Sequence, residues 1–305
     1  MVFLSDGDYK QKKVLITGAD GFTGRHLSSA LSDKGFTVIS LGGEHAENPS
    51  MIPCDLTNKN STMEIIGEIR PDYVIHLAAV SFVGERDIKS FYNVNLFGTI
   101  NLLEALACCQ PSPQKIVIAS SANVYGNPGV EVIDESICPA PVNHYANSKL
   151  AMEHMVRTWF DRFPIIIARP FNYTGPGQSE RFLIPKIVGH FKRKEKKISL
   201  GNLEISRDFS DVQDIVESYK KLLISEAKSI IVNICSGNAV SLFEVIKIMN
   251  KISGYEIMLE TDPELVRSNE IKSMKGSNQL LKRLINFVPE TSFEVILQRI
   301  YQYLM

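Results

Sequence analysis

The sequence lacks any apolar run that approaches the ~18 residues of a membrane-spanning helix. Its first residues, "MVFLSDGDYKQKK", also lack the apolar core of a signal peptide. The chain also lacks an excess of charge of either sign, because the net charge is -1 and the pI is near 6.6. No global field therefore attracts nucleic acid or an anionic membrane. We therefore expect a soluble, cytoplasmic protein with neither kind of partner.

Cysteines are few and are not arranged for metal binding. The chain has five of them, an odd number, and none stands in a C-x-x-C pair or in a Cys/His cluster with zinc spacing. We expect reduced thiols with structural roles and no metal site. The five are Cys54, Cys108, Cys109, Cys138 and Cys235.

What the chain does contain is apolar material for a large core, since 44% of its 305 residues are hydrophobic. Short apolar, β-rich runs alternate with helix-length segments through its first half. This alternation predicts an α/β fold with a Rossmann-like, doubly wound parallel sheet. The runs are Lys13–Thr17, Thr37–Leu41, Tyr73–Leu77, Lys115–Ala119 and Ile165–Arg169, and a later run covers Ser229–Ile234.

The pattern loosens at about Phe171, which indicates a second lobe. A glycine- and proline-containing loop, "NYTGPGQ", is followed by a helix-like stretch from Leu183 to Lys194 and by short strand-like pieces, and the tail from Ser241 is mostly helical. We expect a smaller, discontinuous C-terminal α/β substrate lobe. The predicted bounds are residues 1–170 and about 205–235 for the dinucleotide-binding domain, and 171–204 and 236–305 for the lobe.

A glycine-rich turn joins the first strand to the first helix. The stretch "LITGADGFTGRHL" gives Gly18-x-x-Gly21-x-x-Gly24. A pyrophosphate needs backbone N–H groups at a helix N-terminus with no side chain in the way, and glycines at such a turn provide this. The context favours dinucleotide binding over a tight turn that binds nothing.

The end of the second strand bears on the choice of dinucleotide. An acid usually stands there to hold the ribose 2′-hydroxyl, but this strand ends Ser40-Leu41-Gly42-Gly43. Glu44 could still reach the ribose, whereas Arg25 and the small loop suit a 2′-phosphate. We expect NADP(H) to be preferred, with NAD(H) left open.

Tyr145 and Lys149 lie four residues apart in a helical region, so they share one helix face. Spacing alone proves little, because Tyr9 and Lys13 repeat it. Tyr145, however, follows the strand that ends near Ser121, where a doubly wound sheet meets its cofactor. A nearby ammonium stabilises a phenolate, and a shift of about three units from the unperturbed phenol pKa near 10 corresponds to roughly 4 kcal/mol. Ser121 would hold the substrate oxygen against the phenol.

At this point the chain resembles the extended short-chain dehydrogenase/reductases of the nucleotide-sugar branch over nearly its whole length. The resemblance implies that Ser121, Tyr145 and Lys149 are catalytic, with Lys149 also bonding the nicotinamide ribose. The cofactor-binding residues that it implies are Gly18, Gly21, Phe22, Thr23, Gly24, Arg25, Asp55, Leu56, Leu77, Ala78 and Ala79. The matching segments are "TGADGFTG", "CDL", "PDYVIHLAA", "NVNLFGTINLLEA", "SSANVYG", "YANSK", "RPFNYTGPGQ" and "SRDFSDVQD".

The second-lobe segments look most like those of GDP-4-keto-6-deoxymannose reductases and related 4-ketohexose reductases. That likeness implies a substrate diphosphate held by Asn172, Lys186, Arg207 and Arg267, and guanidinium groups suit phosphate oxygens. The related 4,6-dehydratases carry an acid just after the catalytic hydroxyl residue. Ala122 and Asn123 stand there in this chain, and neither can move a proton, which disfavours dehydration.

Three hypotheses follow. The first is NAD(P)H-dependent reduction of the C4 keto group of a nucleoside-diphosphate 4-keto-6-deoxyhexose. The second is a nucleotide-sugar 4-epimerase that uses the same residues and keeps its NAD bound, and the third is a dinucleotide sensor without catalysis. By family likeness, helices near Ser90–Gln110 and Tyr145–Phe163 would form a homodimer interface, although their apolar residues would also suit an ordinary core.

Overall fold

The computed structural model describes residue 9 and residues 11–43, 48–203, 205–262 and 273–303. The chain forms two compact units. The first comprises Met1–Val124, Pro141–Arg169 and Val216–Val232; the second comprises Tyr125–Ala140, Pro170–Ile215 and Asn233–Met305. Residues 125–140 and 205–215 thus group with the second unit, whereas the sequence-based bounds, which stay a prediction, put them in the dinucleotide-binding domain. Within the described ranges, no helix has the length and apolarity to cross a bilayer.

Seven strands form one sheet, in the order β10-β6-β5-β4-β1-β2-β3. The pairs among β1 to β6 are all parallel, and β4 and β6 are buried along their whole length, as expected for a sheet covered on both faces. The predicted doubly wound fold is confirmed. The strands are β1 (Lys13–Thr17), β2 (Thr37–Gly42), β3 (Ile52–Pro53), β4 (Tyr73–His76), β5 (Lys115–Ala119), β6 (Ile165–Pro170) and β10 (Ile230–Ile234).

The strand order reverses beside β1. Successive strands run outward from β1 through β2 to β3 on one side and through β4 to β5 and β6 on the other. In such a sheet, ligands bind outside the carboxyl ends of the strands at the point where the order reverses. The turns that follow β1 and β4 are therefore the place to look for a site.

Helices flank this sheet, and their ends follow ordinary capping rules. The side chains of Asn58 and Asn143 accept hydrogen bonds from the backbone N–H groups of Ser61 and Ala146 at the starts of α2 and α5. A six-residue π-helical segment, Asn93–Gly98, stands between α3 and α4. The helices are α1 (Phe22–Asp33), α2 (Lys59–Ile69), α3 (Ile88–Tyr92), α4 (Thr99–Ala107), α5 (His144–Arg157) and α7 (Val212–Ile224).

The apolar residues of α4, α5 and the segments that adjoin them divide between the core and the surface. Leu103 and Met152 are buried in the main cluster with residues of β1, β4, β5 and β6, whereas Leu96 and Trp159 are only partly buried against it. Met155 remains exposed. Burial of a Leu or Met side chain stabilises a fold by roughly 1.5–3 kcal/mol, so these helices are held mainly by the sheet beneath them.

The second unit has its own sheets and its own core. Strand β9 pairs with β7, β11 and β13, and β8 pairs with β12. Its elements are β7 (Asn172–Thr174), α6 (Leu183–Lys192), β8 (Lys197–Leu200), β9 (Ser206–Asp211), β11 (Ala239–Ser241), α8 (Leu242–Ser253), β12 (Met258–Thr261), β13 (Ser273–Met274), α9 (Gln279–Ile285) and α10 (Phe293–Tyr303).

A buried carboxylate ties this second unit together. Asp208, on β9, accepts hydrogen bonds from the N–H groups of Ser236, Gly237 and Gly276 and from the Ser236 hydroxyl. Burial raises the pKa of Asp208, and these hydrogen bonds act in the opposite direction. The carboxylate therefore fixes two loops against the strand that carries Arg207.

Candidate active site

The glycine turn packs its bare backbone against the strand ends. Gly18 has a φ of +66°, and a Cβ there would lie 2.7 Å from the Ala78 nitrogen; a Cβ at Gly24 would lie 2.4 Å from the Gly18 carbonyl oxygen. No side chain caps the first turn of α1, which begins after Gly21. Backbone N–H groups at such a helix start suit a pyrophosphate, so the turn fits a dinucleotide.

Residues near the end of β2 surround the position of an adenine ribose in this type of fold. The Asp20 carboxylate accepts a 3.3 Å hydrogen bond from the Gly43 N–H. The Arg25 guanidinium, in the first turn of α1, donates to the Asp20 carbonyl at 2.7 Å. Glu44 lies outside the described residues. Sequence reasoning singled out Arg25 but missed Asp20, which stands inside the glycine motif rather than at the strand end.

The other expected cofactor residues follow β3 and β4. Leu56 is buried in the core, and Asp55 bonds the backbone N–H and the hydroxyl of Thr57. Leu77 donates its N–H to the Thr17 carbonyl oxygen, and Ala78 donates its N–H to the Thr17 hydroxyl. The segment after β4, which includes Ala79, is thus held beside the end of β1.

Ser121, Tyr145 and Lys149 all belong to the first unit. Ser121 follows β5, and its hydroxyl accepts a hydrogen bond from the Asn123 N–H. The Tyr145 ring packs against Phe91, with 6.1 Å between centroids. The Lys149 ammonium donates a 2.8 Å hydrogen bond to the carbonyl oxygen of Ala119. This bond joins α5 to the end of β5, two residues before Ser121.

Burial makes Lys149 a lysine that can lose its proton near neutrality. Its side chain is 3% exposed, and burial lowers its pKa to about 8, while the charge of Glu153 acts in the opposite direction. An ammonium whose pKa is close to the working pH can respond to the ionisation of a neighbouring phenol.

A buried polar network that sequence reasoning missed lies between the glycine turn and α5. His76 bonds the Thr17 hydroxyl through Nδ1 at 2.6 Å and the Thr99 hydroxyl through Nε2 at 2.8 Å. Because the Thr99 hydroxyl already donates to the Asn95 carbonyl, it accepts from Nε2–H. Nδ1 is then the acceptor for the Thr17 hydroxyl. Burial, and after it the charge of Lys149, lower the pKa of His76 to about 3, so the ring is neutral.

The network continues through Asn95, which lies in the π-helical segment. Its side chain bonds both the N–H and the carbonyl of Val80 and donates to the Ser148 hydroxyl at 3.0 Å. Ser148 in turn donates to the Tyr145 carbonyl. Wide π-helical turns often occur at functional sites, but their positions are not evident from sequence.

Three of the four residues expected to hold the substrate diphosphate are described, and they lie in the second unit. Asn172 begins β7 and is in register with Phe209 of β9. Arg207 is on β9, and its guanidinium donates to the Ser206 carbonyl. The Lys186 ammonium, on α6, is 3.3 Å from the Ser199 carbonyl oxygen. Asn172 and Arg207 are thus on neighbouring strands, Lys186 is on a helix, and Arg267 lies outside the described residues.

Together, the doubly wound sheet, the glycine turn and a Tyr-x-x-x-Lys helix that contacts the end of β5 define an extended short-chain dehydrogenase/reductase. Residues 15–300 match the family model for GDP-mannose 4,6-dehydratase. The chain belongs to this family. Ala122 and Asn123, the residues that the sequence comparison above placed at the dehydratase acid position, begin a 3₁₀ turn, and that placement stays a prediction.

Two curated relatives are similar along nearly the whole chain. GDP-6-deoxy-D-talose 4-dehydrogenase of Aggregatibacter actinomycetemcomitans is 35% identical over 292 residues, which is 95% of this chain and 97% of the relative. GDP-6-deoxy-D-mannose reductase of Pseudomonas aeruginosa is 32% identical over 300 residues, covering 95% and 96%.

Two solved structures are also similar to this chain along nearly its whole length. The Pseudomonas aeruginosa protein RMD complexed with NADPH is 31% identical, with a TM-score of 0.83 over 96% of this chain and 97% of that one. A Burkholderia cenocepacia protein provisionally named an epimerase is 41% identical, with a TM-score of 0.90 over 96% and 98%.

Proposed function

We propose that this protein is an NAD(P)-dependent oxidoreductase that reduces the C4 keto group of a GDP-linked 4-keto-6-deoxyhexose. One observation carries the proposal: the Lys149 ammonium is buried and bonded to the Ala119 carbonyl, one helical turn from Tyr145 and at the strand end that precedes Ser121. The two curated relatives are named for GDP-6-deoxy sugars, and the name of the Aggregatibacter protein specifies position 4, which supports the same substrate class here.

The protein's own residues position the substrate and move one proton. Tyr145 donates its phenolic proton to the oxygen at C4, and Lys149 stabilises the phenolate that remains. Ser121 donates a hydrogen bond to the same oxygen and holds the carbonyl in place. When bound, the reduced nicotinamide supplies the hydride to C4. Ala122 and Asn123 cannot act as acid or base at C5, so these residues do not support a dehydration.

In the second unit, we assign Asn172, Lys186 and Arg207 to the substrate diphosphate and its neighbouring groups. Arg207 is the best suited of the three, because a guanidinium can bond two phosphate oxygens at once. Arg267 stays a prediction from the resemblance.

NADP(H) is the cofactor that we propose the protein prefers. Arg25 lies in the first turn of α1, and the described end of β2, Ser40–Gly43, carries no acid. The Asp20 carboxylate near Gly43 is the feature that opposes this preference, because it could accept bonds from ribose hydroxyls. Binding of NADPH and NADH to the purified protein, measured side by side, decides between them.

Homodimerisation through α4 and α5 is a further part of the proposal. Phe97, in the π-helical segment before α4, and Met155, on α5, are 53% and 41% exposed although both are apolar. Two chains that pair these helices would cover both residues. Light scattering with Phe97→Glu/Met155→Glu tests the pairing, because a dimer that uses this face should become a monomer.

The experiment that tests the reaction incubates protein and NADPH with GDP-, dTDP- and CDP-linked 4-keto-6-deoxy sugars and follows the nicotinamide absorbance. We expect the GDP sugar to be reduced and Tyr145→Phe to lower turnover by at least about a hundredfold. Tyr255→Phe is the matched control, since Tyr255 lies in the second unit and its hydroxyl donates to the Glu195 carbonyl oxygen. Unchanged turnover in Tyr145→Phe would end the proposal.

A nucleotide-sugar 4-epimerase is the second candidate, and the similarity to the Burkholderia cenocepacia protein favours it. Such an enzyme keeps its cofactor and returns the hydride to the opposite face, so the purified protein should carry NAD and need none added. A sensor without catalysis would need neither the lysine bonded to the strand end nor Tyr145. Cofactor content after purification, together with the turnover assay, separates the three.

A further inference from the structure

Helix α5 carries a third ionisable residue on the face that holds Tyr145 and Lys149. Glu153 follows Lys149 by four residues, as Lys149 follows Tyr145, so the three lie along one side of the helix. Glu153 is 1% exposed. A carboxylate so deeply buried is rare unless it is paired, and Glu153 has partners on two strand ends.

The partners of Glu153 are an arginine and a serine. The Arg169 guanidinium, on β6, donates bidentate hydrogen bonds to the Glu153 carboxylate, with Nε 2.9 Å from Oε1 and Nη2 2.5 Å from Oε2. The Ser120 hydroxyl, just after β5, donates to Oε1. Both carboxylate oxygens are thereby occupied. This arrangement, which we call the Glu153 cluster (Ser120, Glu153 and Arg169), joins α5 to the ends of β5 and β6.

Glu153 supplies a negative charge opposite two cations in this buried region. Lys149 and Arg169 are cations, and the negative charge of Glu153 acts to raise the pKa of Lys149. His76, which extends from β4, also lies close enough for the charge of Lys149 to lower its pKa, and it is neutral; Tyr145 is one turn away on the same helix. Burial favours the uncharged lysine, whereas the Glu153 carboxylate favours the ammonium. Loss of the carboxylate should therefore lower the pKa of Lys149 further.

We propose that Glu153 is a positioning residue for the reaction: its carboxylate keeps Lys149 protonated beside Tyr145 and holds Ser120, and through the backbone Ser121, in place. The catalytic part of this inference rests on the proposed function. The electrostatic part does not, because Lys149 can be titrated in the protein without substrate. Glu153 itself touches neither the substrate oxygen nor the cofactor in this scheme.

The test variant, Glu153→Gln, removes the negative charge of Glu153 and keeps the shape of its side chain. In Glu153→Gln, the Lys149 side chain, labelled with ¹³C and ¹⁵N and assigned with Lys149→Met, should titrate about one pH unit lower than in the wild type. The alkaline limb of kcat/KM, which belongs to the Tyr145–Lys149 pair, should move in the same direction. A shift of the alkaline limb by about one pH unit means about a tenfold loss of kcat/KM at pH values above the limb and little change at pH values below it.

Two companion variants separate charge from structure. Ser120→Ala removes a hydrogen bond to Glu153 but no charge, so the Lys149 titration should stay in place. Glu153→Gln/Arg169→Gln removes both charges and leaves no unpaired buried guanidinium, which protects the fold if the single variant fails. It should still lower the titration midpoint of Lys149, although by less than Glu153→Gln does, because Glu153 lies one turn from Lys149 on α5 and the loss of the Arg169 cation acts in the opposite direction.

The outcomes are distinguishable. A Lys149 titration that is unchanged in the folded Gln variants overturns the inference, whatever the activity. A lowered titration in a protein that reduces none of the sugars rejects the proposed reaction and supports the coupling of Glu153 to Lys149. A lowered titration together with a shifted alkaline limb supports both.

Discussion

Acidification from pH 7 to pH 5 should destabilise the first unit through His76, and His76→Gln should remove that part of the pH dependence. The imidazole accepts a bond from Thr17 at Nδ1 and donates to Thr99 from Nε2. A proton on Nδ1 would leave the Thr17 hydroxyl with no acceptor and would bury a second cation near Lys149. The folded protein therefore resists protonation of His76.

The size of this stability loss follows from the pKa of His76 in the unfolded and in the folded chain. Burial lowers the pKa of His76 from 6.5 to about 3, so below pH 6.5 the unfolded chain binds a proton that the folded chain does not. Stability then falls by about 1.4 kcal/mol per pH unit. Between pH 7 and pH 5 the loss that is due to His76 is about 2 kcal/mol, and it continues down to about pH 3.

Urea denaturation, monitored through tryptophan fluorescence, measures this loss of stability in the first unit. The chain has one tryptophan, Trp159, which packs against the core cluster of the first unit. Wild type should lose about 2 kcal/mol more than His76→Gln between the two pH values, although the variant starts lower at pH 7 because it lacks the bond to Thr17.

Equal losses in the two proteins would refute the reasoning. So would an imidazole ¹⁵N titration of His76 in the folded protein with a midpoint near 6.5, assigned with the same variant. The tautomer gives an independent check, since the network requires Nε2–H at neutral pH.

Three other predictions concern the turn, the cofactor and the second unit. Gly24→Ala should weaken cofactor binding at least about tenfold, because its Cβ would lie 2.4 Å from the Gly18 carbonyl oxygen; Gly67→Ala in α2, with open space around it, should bind normally and gain about 0.5–1 kcal/mol in stability. Arg25→Ala should raise the Kd for NADPH about tenfold and leave NADH nearly unchanged, since only NADPH offers a phosphate there, and equal effects on the two would remove Arg25 from that role. Asp208→Asn should lower the urea stability of the second unit by roughly 2–4 kcal/mol, because an amide replaces one acceptor oxygen with a donor that faces backbone N–H groups; a loss below about 1 kcal/mol would contradict the anchoring role.

Local sequence patterns were enough to predict the sheet. Lys13–Thr17 and Lys115–Ala119 have the same bounds in the structure as in the prediction, and four other strands differ by one residue at one end. Buried parallel strands are apolar along their whole length, so each is visible in a short window. The two-residue β3 was missed because so short an edge strand has no apolar run. The helix expected at Leu183–Lys194 ends two residues earlier, at Lys192.

The candidate site was predictable only where its residues follow one another closely. The glycine turn and the Tyr145–Lys149 spacing are local, and the structure shows the glycines packed on backbone and Lys149 bonded to a strand end. The domain bounds and the roles of the individual site residues stay predictions, as does the assignment of Asn172, Lys186 and Arg207 to the substrate.

His76 and Glu153 show why the rest was missed. Each looks ordinary in sequence: a histidine ends an apolar strand, and a glutamate stands on a helix. Their significance comes from partners that are far away along the chain, since Thr17 is 59 residues from His76, and Arg169, on another strand, is 16 residues from Glu153. A buried polar residue is tolerated only when such partners are in place, and which residues meet is fixed by the order of strands in the sheet. The fold therefore has to be known before the groups that support Lys149 can be identified, even though Lys149 itself could be identified without it.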